Sequence, residues 1–331
     1  MSLDILLSRT EAGLDNGALY ALVAITLVFV FRTTRVVFVP LGAFISYGAL
    51  TLVSFETYAF ACVLALGLAS GLRRGWVDRK AMNRRSLMLL LCSHALAPAI
   101  FLICARFASS AAARPLVVAP LIVAMYGLAG LYLYDLVFRP IMNRSAPTLF
   151  IVSAAAHALI VCVAFAIFGP EGARSPIEWG DGFQLGALHV AGASVAIYLS
   201  AAVIIFMLYI FVTRTASCDA SKAGRLSFGL ASSIGALIGV MISSNTTIFY
   251  DTGLLVGLKG SVAAFVGGWA GYPAAIASAL LTGLLESCAS LYAGISHDVA
   301  IPALVVPTLL YGGFTKTQSR LRARSKRTIA R

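Results

Sequence analysis

Two residues of opposite charge stand inside runs that are otherwise apolar, Lys259 within 253–270 and Glu286 within 274–294. Charges in such runs are rare, and by default they mark function or a paired contact. Lys259 lies six residues in from the start of its run and Glu286 eight from the end of the next. If both runs are helices, a rise of 1.5 Å per residue puts both charges roughly 9 to 12 Å below the same face. Equal depth permits an ion pair holding two neighbouring helices, with gating or substrate contact as the alternative role. Asp135 and Arg139, four apart at the end of another run, are spaced to pair along one helix face as a structural contact.

Other chemistries find less to work with. The histidines His94, His157, His189 and His297 are scattered without ligand spacing, so neither a metal nor any other cofactor is expected. His94 and His157 fall inside apolar runs, where each needs an interhelical partner. Cys62, Cys92, Cys104, Cys162 and Cys288 also lie in apolar runs and Cys218 in a polar stretch; none shows the two-residue spacing of a redox or metal pair. They read as small packing residues. A phosphate-binding loop would end in Gly-Lys-Ser or Gly-Lys-Thr, whereas Gly257-Leu258-Lys259-Gly260 lacks the hydroxyl and sits in an apolar run. ATP, if it drives this protein, is bound by another chain. No cluster of catalytic residues gathers at one depth, so the chain does not read as an enzyme. A channel or ion-coupled carrier would show several intramembrane acids or a polar stripe, and only Lys259 and Glu286 qualify.

The elements that hold these residues follow from composition. Of 331 residues, 60% are hydrophobic and 11% charged, against about 25% charged in a soluble domain. Such a chain cannot cover itself in water, and its net charge of +12 sorts by membrane side instead of marking a nucleic-acid binder. A spanning helix needs about 20 apolar residues. The apolar runs give spans at 17–31, 36–55, 57–72, 86–105, 116–138, 148–168, 189–212, 226–244, 253–270, 274–294 and 299–314. The expected fold is therefore all-α, one polytopic transmembrane helix bundle over 1–331 with about 11 spans (range 8–11).

Basic residues near span ends favour the cytoplasm. That rule puts the tail 315–331, the cluster Arg73 to Arg85, the pair Arg139 and Arg144, and Arg214, Lys222 and Arg225 inside, and the acidic loop with Glu171, Glu178 and Asp181 outside. The N-terminus is then outside and the C-terminus cytoplasmic, with Arg9, Arg106, Arg114 and Arg174 opposed. Ala231, Gly235 and Gly239 recur four apart, as do Gly267 and Gly271, a spacing that lets helix backbones approach closely.

Three segments carry a resemblance. Asn16-Gly17-Ala18-Leu19-Tyr20-Ala21-Leu22, with Thr34-Arg35-Val36-Val37-Phe38 and Gly42, is the first; Phe138-Arg139-Pro140, Thr148-Leu149 and Phe168-Gly169-Pro170-Glu171 make the second. The third runs from Gly253 to Glu286 through Lys259, Gly267-Gly268, Gly271 and Pro273. In this order they resemble the permease subunits of branched-chain amino acid ABC importers. The resemblance implies a multi-pass protein of the bacterial inner membrane that moves substrate by alternating access. Its implied partners are a second related permease, two cytoplasmic ATPases and a periplasmic binding protein, with membrane lipid around it and no nucleic acid.

On that resemblance the substrate path takes in Asn16, Tyr20, Phe38, Gly42, Gly267 and Gly268, and the cytoplasmic coupling loop for the ATPase falls at 213–226 with Cys218, Asp219, Lys222 and Arg225. Departures exist too. The coupling stretch is about a dozen residues short of the family pattern, residues 57–115 hold extra spans, and Tyr311-Gly312-Gly313-Phe314 replaces the family's C-terminal Arg-Pro motif. Urea or short amides, a non-transporting paralogue, and a stand-alone channel or carrier remain alternatives.

Overall fold

A computed structural model of the chain describes residues 3–54, 57–77, 94, 96, 98–101, 103, 114–175, 182–185, 188–215, 220–268 and 271–292. Its helices are α1 (Leu3–Thr34), α2 (Leu41–Ser54), α3 (Thr57–Val77), α4 (Arg114–Leu133), α5 (Ala146–Phe168), α6 (Gly192–Thr215), α7 (Ala220–Ile242), α8 (Thr252–Val266) and α9 (Tyr272–Tyr292). α4 continues through a π turn, Tyr134–Phe138, and a 3-10 turn, Arg139–Ile141. A short antiparallel hairpin, β1 (Phe183–Leu185) with β2 (Leu188–Val190), departs from an otherwise helical chain.

Among the described residues five stretches are long and apolar enough to cross a membrane: Arg9–Thr34, Val118–Ile141, Ala146–Phe168, Ser221–Ile242 and Tyr272–Ala289. Leu41–Ser54, Ser194–Leu208 and Thr252–Val266 are shorter apolar helices. The expected span 299–314, most of 86–105, and the tail 315–331 lie outside the described residues. α1 begins at Leu3, well before the expected 17. A polar stretch, Ser8 to Asn16, continues the helix ahead of the apolar run expected from residue 17.

Local sequence sets the helix ends. Ser145 and Pro147 open α5, proline being tolerated where the first amides have no helical acceptor. Gly169 closes it at φ 76 with its N–H donated to Phe165 O, and Pro170 follows. α1 ends on Arg35, a non-glycine residue at φ 59 whose N–H reaches Phe31 O at 2.7 Å. Pro40 then precedes α2.

α1 is the axis of the bundle, packed against α6, α7, α8 and α9. In its most apolar stretch 78% of residues are buried, against 22% for α5, whose Ile151 and Leu159 face outward. Between the helices lies an aromatic core in which Phe38, Phe138 and Phe228 are fully enclosed, with ring centroids of Phe38 and Phe228 4.6 Å apart.

Small residues set the crossings. Gly13 and Gly17 of α1 meet Gly283 of α9, Gly42 of α2 meets Gly253 of α8, and Gly48 of α2 meets Ala236 of α7. Gly235 and Gly239 press α7 on α2, the close approach that their spacing implied. Gly267 and Gly271 do not share a helix: Gly267 caps α8 and Gly271 precedes α9. A Cβ at Gly239 would run into Ile45 O, a backbone atom that cannot rotate away. Gly239→Leu is therefore expected to cost at least about 1–3 kcal/mol by overpacking, read as a fall in the thermal unfolding midpoint in detergent. Gly271→Ala, where a Cβ meets nothing nearer than 3.8 Å, is the control. An unchanged midpoint for Gly239→Leu would mean that α2 and α7 do not cross there.

Candidate functional site

Lys259 on α8 and Glu286 on α9 come together inside the bundle, Nζ 2.6 Å from Oε1. Tyr20 on α1 donates its hydroxyl to the other carboxylate oxygen, Oε2, at 2.8 Å. The ammonium also stands 5.7 Å from the centroid of the Tyr20 ring, within range of a cation–π contact. Lys259 and Glu286 are 8% and 3% exposed, and Tyr20 is 5% exposed. Three helices thus meet on one carboxylate, each of whose oxygens has a partner.

The glycines explain how these side chains reach. Gly17 and Gly283 bring α1 and α9 into backbone contact one turn from Tyr20 and Glu286, while Gly260, next to Lys259, lies against Val23 of α1. An ion pair taken out of water is favourable only with close geometry and its remaining hydrogen-bonding capacity used. The Tyr20 hydroxyl supplies that use. The cluster is charge-neutral as a unit and clamps α1, α8 and α9.

A cavity of about 360 Å³ opens beside α2 and α8. Leu27, Phe38, Gly42, Leu254, Gly257 and Phe265 line it, and Ser261 contributes a hydroxyl to an otherwise apolar wall. Its size falls within the usual range for small-molecule sites, about 300–1,000 Å³. Of the expected path residues, Phe38 and Gly42 lie on this wall. Tyr20 belongs instead to the ion-pair cluster, Asn16 is half-buried on α1, and Gly267 and Gly268 form the turn after α8, with Gly268 at φ 78. The structure does not bring these four to the cavity.

A second buried carboxylate, Asp135, sits in the π turn after α4. Arg225 of α7 approaches it at 2.8 Å and Arg74 of α3 at 3.2 Å, with His94 Nε2 at 4.0 Å. Arg73 donates to the carbonyls of Asp135 and Leu136 at 2.7 and 2.8 Å. This corrects the expected pairing of Asp135 with Arg139. Asp135 points into the bundle with its side chain fully buried, whereas Arg139 is exposed, because the π turn and the 3-10 turn after it break the α-helical phase assumed by a four-residue spacing. Arg225, expected on the coupling loop, faces Asp135 with its side chain 29% exposed.

Within the expected loop 213–226 the described residues are helical: α6 runs to Thr215 and α7 begins at Ala220. Lys222 is exposed on the first turn of α7, and Cys218 and Asp219 lie outside the described residues. Arg73 and Arg74 had been legible only as part of a basic cluster. The signal that finds a partner for them is Asp135 itself, an acid in an apolar run that requires cationic company.

Among the described residues no group of three or more His, Cys, Asp and Glu side chains comes together as a metal site. No family model matches the chain, and neither the curated proteins nor the solved structures contain a significant match to it.

Proposed function

We propose that this chain is a permease subunit of a bacterial ABC importer for branched-chain amino acids. On this reading it has about 11 spans, the N-terminus outside and the tail 315–331 in the cytoplasm. It works in the inner membrane with a second related permease, two ATPases and a periplasmic binding protein. One observation carries the reading. The cavity beside α2 and α8 is lined from within the ranges 16–42, 138–171 and 253–286, between whose ends the resemblance motifs lie: Leu27 to Gly42, Phe150, and Leu254 to Phe265. Segments far apart in sequence thus converge on one apolar space large enough for an aliphatic side chain, the Ser261 hydroxyl in its wall donating to Leu258 O.

The test is co-purification of the tagged chain with the products of neighbouring genes, followed by ATP-dependent leucine uptake into vesicles supplied with the binding protein. The expected result is a co-purifying ATPase and uptake that Leu254→Trp, which projects bulk into the cavity, reduces at least about tenfold, comparable to misplacing a substrate by about 1 Å. The absence of both a co-purifying ATPase and uptake would overturn the proposal. Uptake unaffected by Leu254→Trp would remove the cavity from the path.

A further inference from the structure

We propose that the cavity beside α2 and α8 holds the carboxylate of a branched aliphatic acid on the backbone amides of Val37 and Phe38, and requires no α-amino group. This rests on the permease reading in taking that cavity as the substrate's, and it widens the substrates from amino acids to the corresponding α-keto and unsubstituted acids. The backbone between α1 and α2 is the reason. Residues 35–40 leave the helix, and Ser153 holds them: its hydroxyl donates to Val37 O at 2.7 Å and accepts from the Val39 N–H at 3.1 Å. Ser153 is fully buried seven residues into α5, so the connector lies about 10 Å in from that helix's end. Non-helical backbone at membrane depth is tolerated where it is buried in protein or lines a cavity, and Val37, Phe38 and Val39 line this one.

Most amides of the connector are accounted for. Arg35 N–H reaches Phe31 O, Val36 N–H reaches Thr34 Oγ1, Val39 N–H reaches Ser153, and Pro40 has none. Those of Val37 and Phe38 meet no acceptor among the described residues. An amide left unpaired in an apolar interior is costly, and an acceptor brought by a ligand removes that cost. The wall decides which acceptor. It is built from Leu, Val, Phe and Gly residues together with Ser261, whose proton goes to Leu258 O at 2.7 Å. Among the described residues no acidic or basic side chain lines it, so an ammonium would find no carboxylate there. The donors left are main-chain N–H groups, which suit an anion. α2 begins close by at Leu41, which adds the positive end of its dipole. A molecule with one carboxylate and a branched aliphatic body satisfies the amides and the wall together.

The experiment is calorimetric titration of the purified full chain in detergent, at neutral pH, with isocaproate, isocaproamide and isoamylamine. The acid is expected to bind about tenfold or more tighter than the amide, because hydrogen bonds to charged groups are stronger than those to neutral ones. The amine is expected not to compete. Equal binding of acid and amide, tighter binding of the amine, or no binding of any of the three overturns the proposal without any variant. Ser153→Ala, which frees the connector, is expected to bring the acid's advantage to about unity while leaving the amide's affinity as it was. An advantage that survives Ser153→Ala contradicts the placement of the carboxylate on the connector. Leu254→Trp, which fills the cavity, is expected to abolish binding of acid and amide alike, and undiminished binding would put the acid elsewhere. No ATPase takes part in the titration, so the importer reading can fail while the preference for the acid stands, and the preference can fail while leucine uptake persists.

Discussion

Lys259→Met is expected to destabilise the folded protein by about 3–5 kcal/mol, because it leaves the Glu286 carboxylate buried without the ammonium that faces it. Glu286→Gln should cost a similar amount by stranding the ammonium. The double variant, with no charge left to strand, should cost far less than the two combined, a coupling well above the ~0.5 kcal/mol within which independent sites add. Tyr20→Phe extends the test, since removing a hydrogen bond to a charged group costs about 1.5–3 kcal/mol. That cost should shrink once Glu286 is already Gln. Denaturant midpoints in detergent for the single and double variants complete the cycle. Energetically independent Lys259 and Glu286 variants would refute the clamp between α8 and α9.

Asp135→Asn is expected to be comparably severe. The substitution preserves volume but removes the one negative charge that faces both Arg74 and Arg225, leaving two guanidinium groups directed at a neutral amide. Breaking a buried charge pair on one side costs about 3–5 kcal/mol, and here both arginines lose the carboxylate that they face. Arg139→Gln, at an exposed position, should stay within about 0.5 kcal/mol of the parent. Adding Arg225→Gln to Asp135→Asn should recover part of the loss by withdrawing one stranded cation. Yield and thermal midpoint in detergent check all three. A harmless Asp135→Asn beside a damaging Arg139→Gln would restore the pairing within one helix that residue spacing suggests.

What the sequence reveals divides along physical lines. Lys259 and Glu286 were legible as a pair because each is conspicuous in an apolar run and depth can be counted along a helix. Tyr20, which completes the cluster, is an ordinary membrane residue by type, and only a family resemblance singled it out. Asp135 was equally conspicuous, yet its partners come from α3 and α7, and no spacing rule spans such separations. The rule that does exist, four residues along one face, assumes α geometry and fails across a π turn. Gly235 and Gly239 declared their crossing because both stand on one continuous helix. Gly267 and Gly271 have the same spacing but straddle a turn, and spacing alone does not distinguish the cases. The cavity beside α2 and α8 is assembled by tertiary packing, so Phe38 and Gly42 could be located on it only in three dimensions.

The central place of α1 sets a schedule for assembly. Its tyrosine and its two contact glycines are matched to α9, and Tyr20 is separated from Glu286 by 266 residues. At ~5–20 residues per second of synthesis, α1 leaves the ribosome roughly 15–50 s before its counterpart exists. Throughout that interval the helix destined for the middle of the bundle stands with its future interior toward lipid or toward whatever insertion machinery holds it. The last described helix to be made is thus the one that closes the first, and α1 reaches its final surroundings only once α9 has been synthesised.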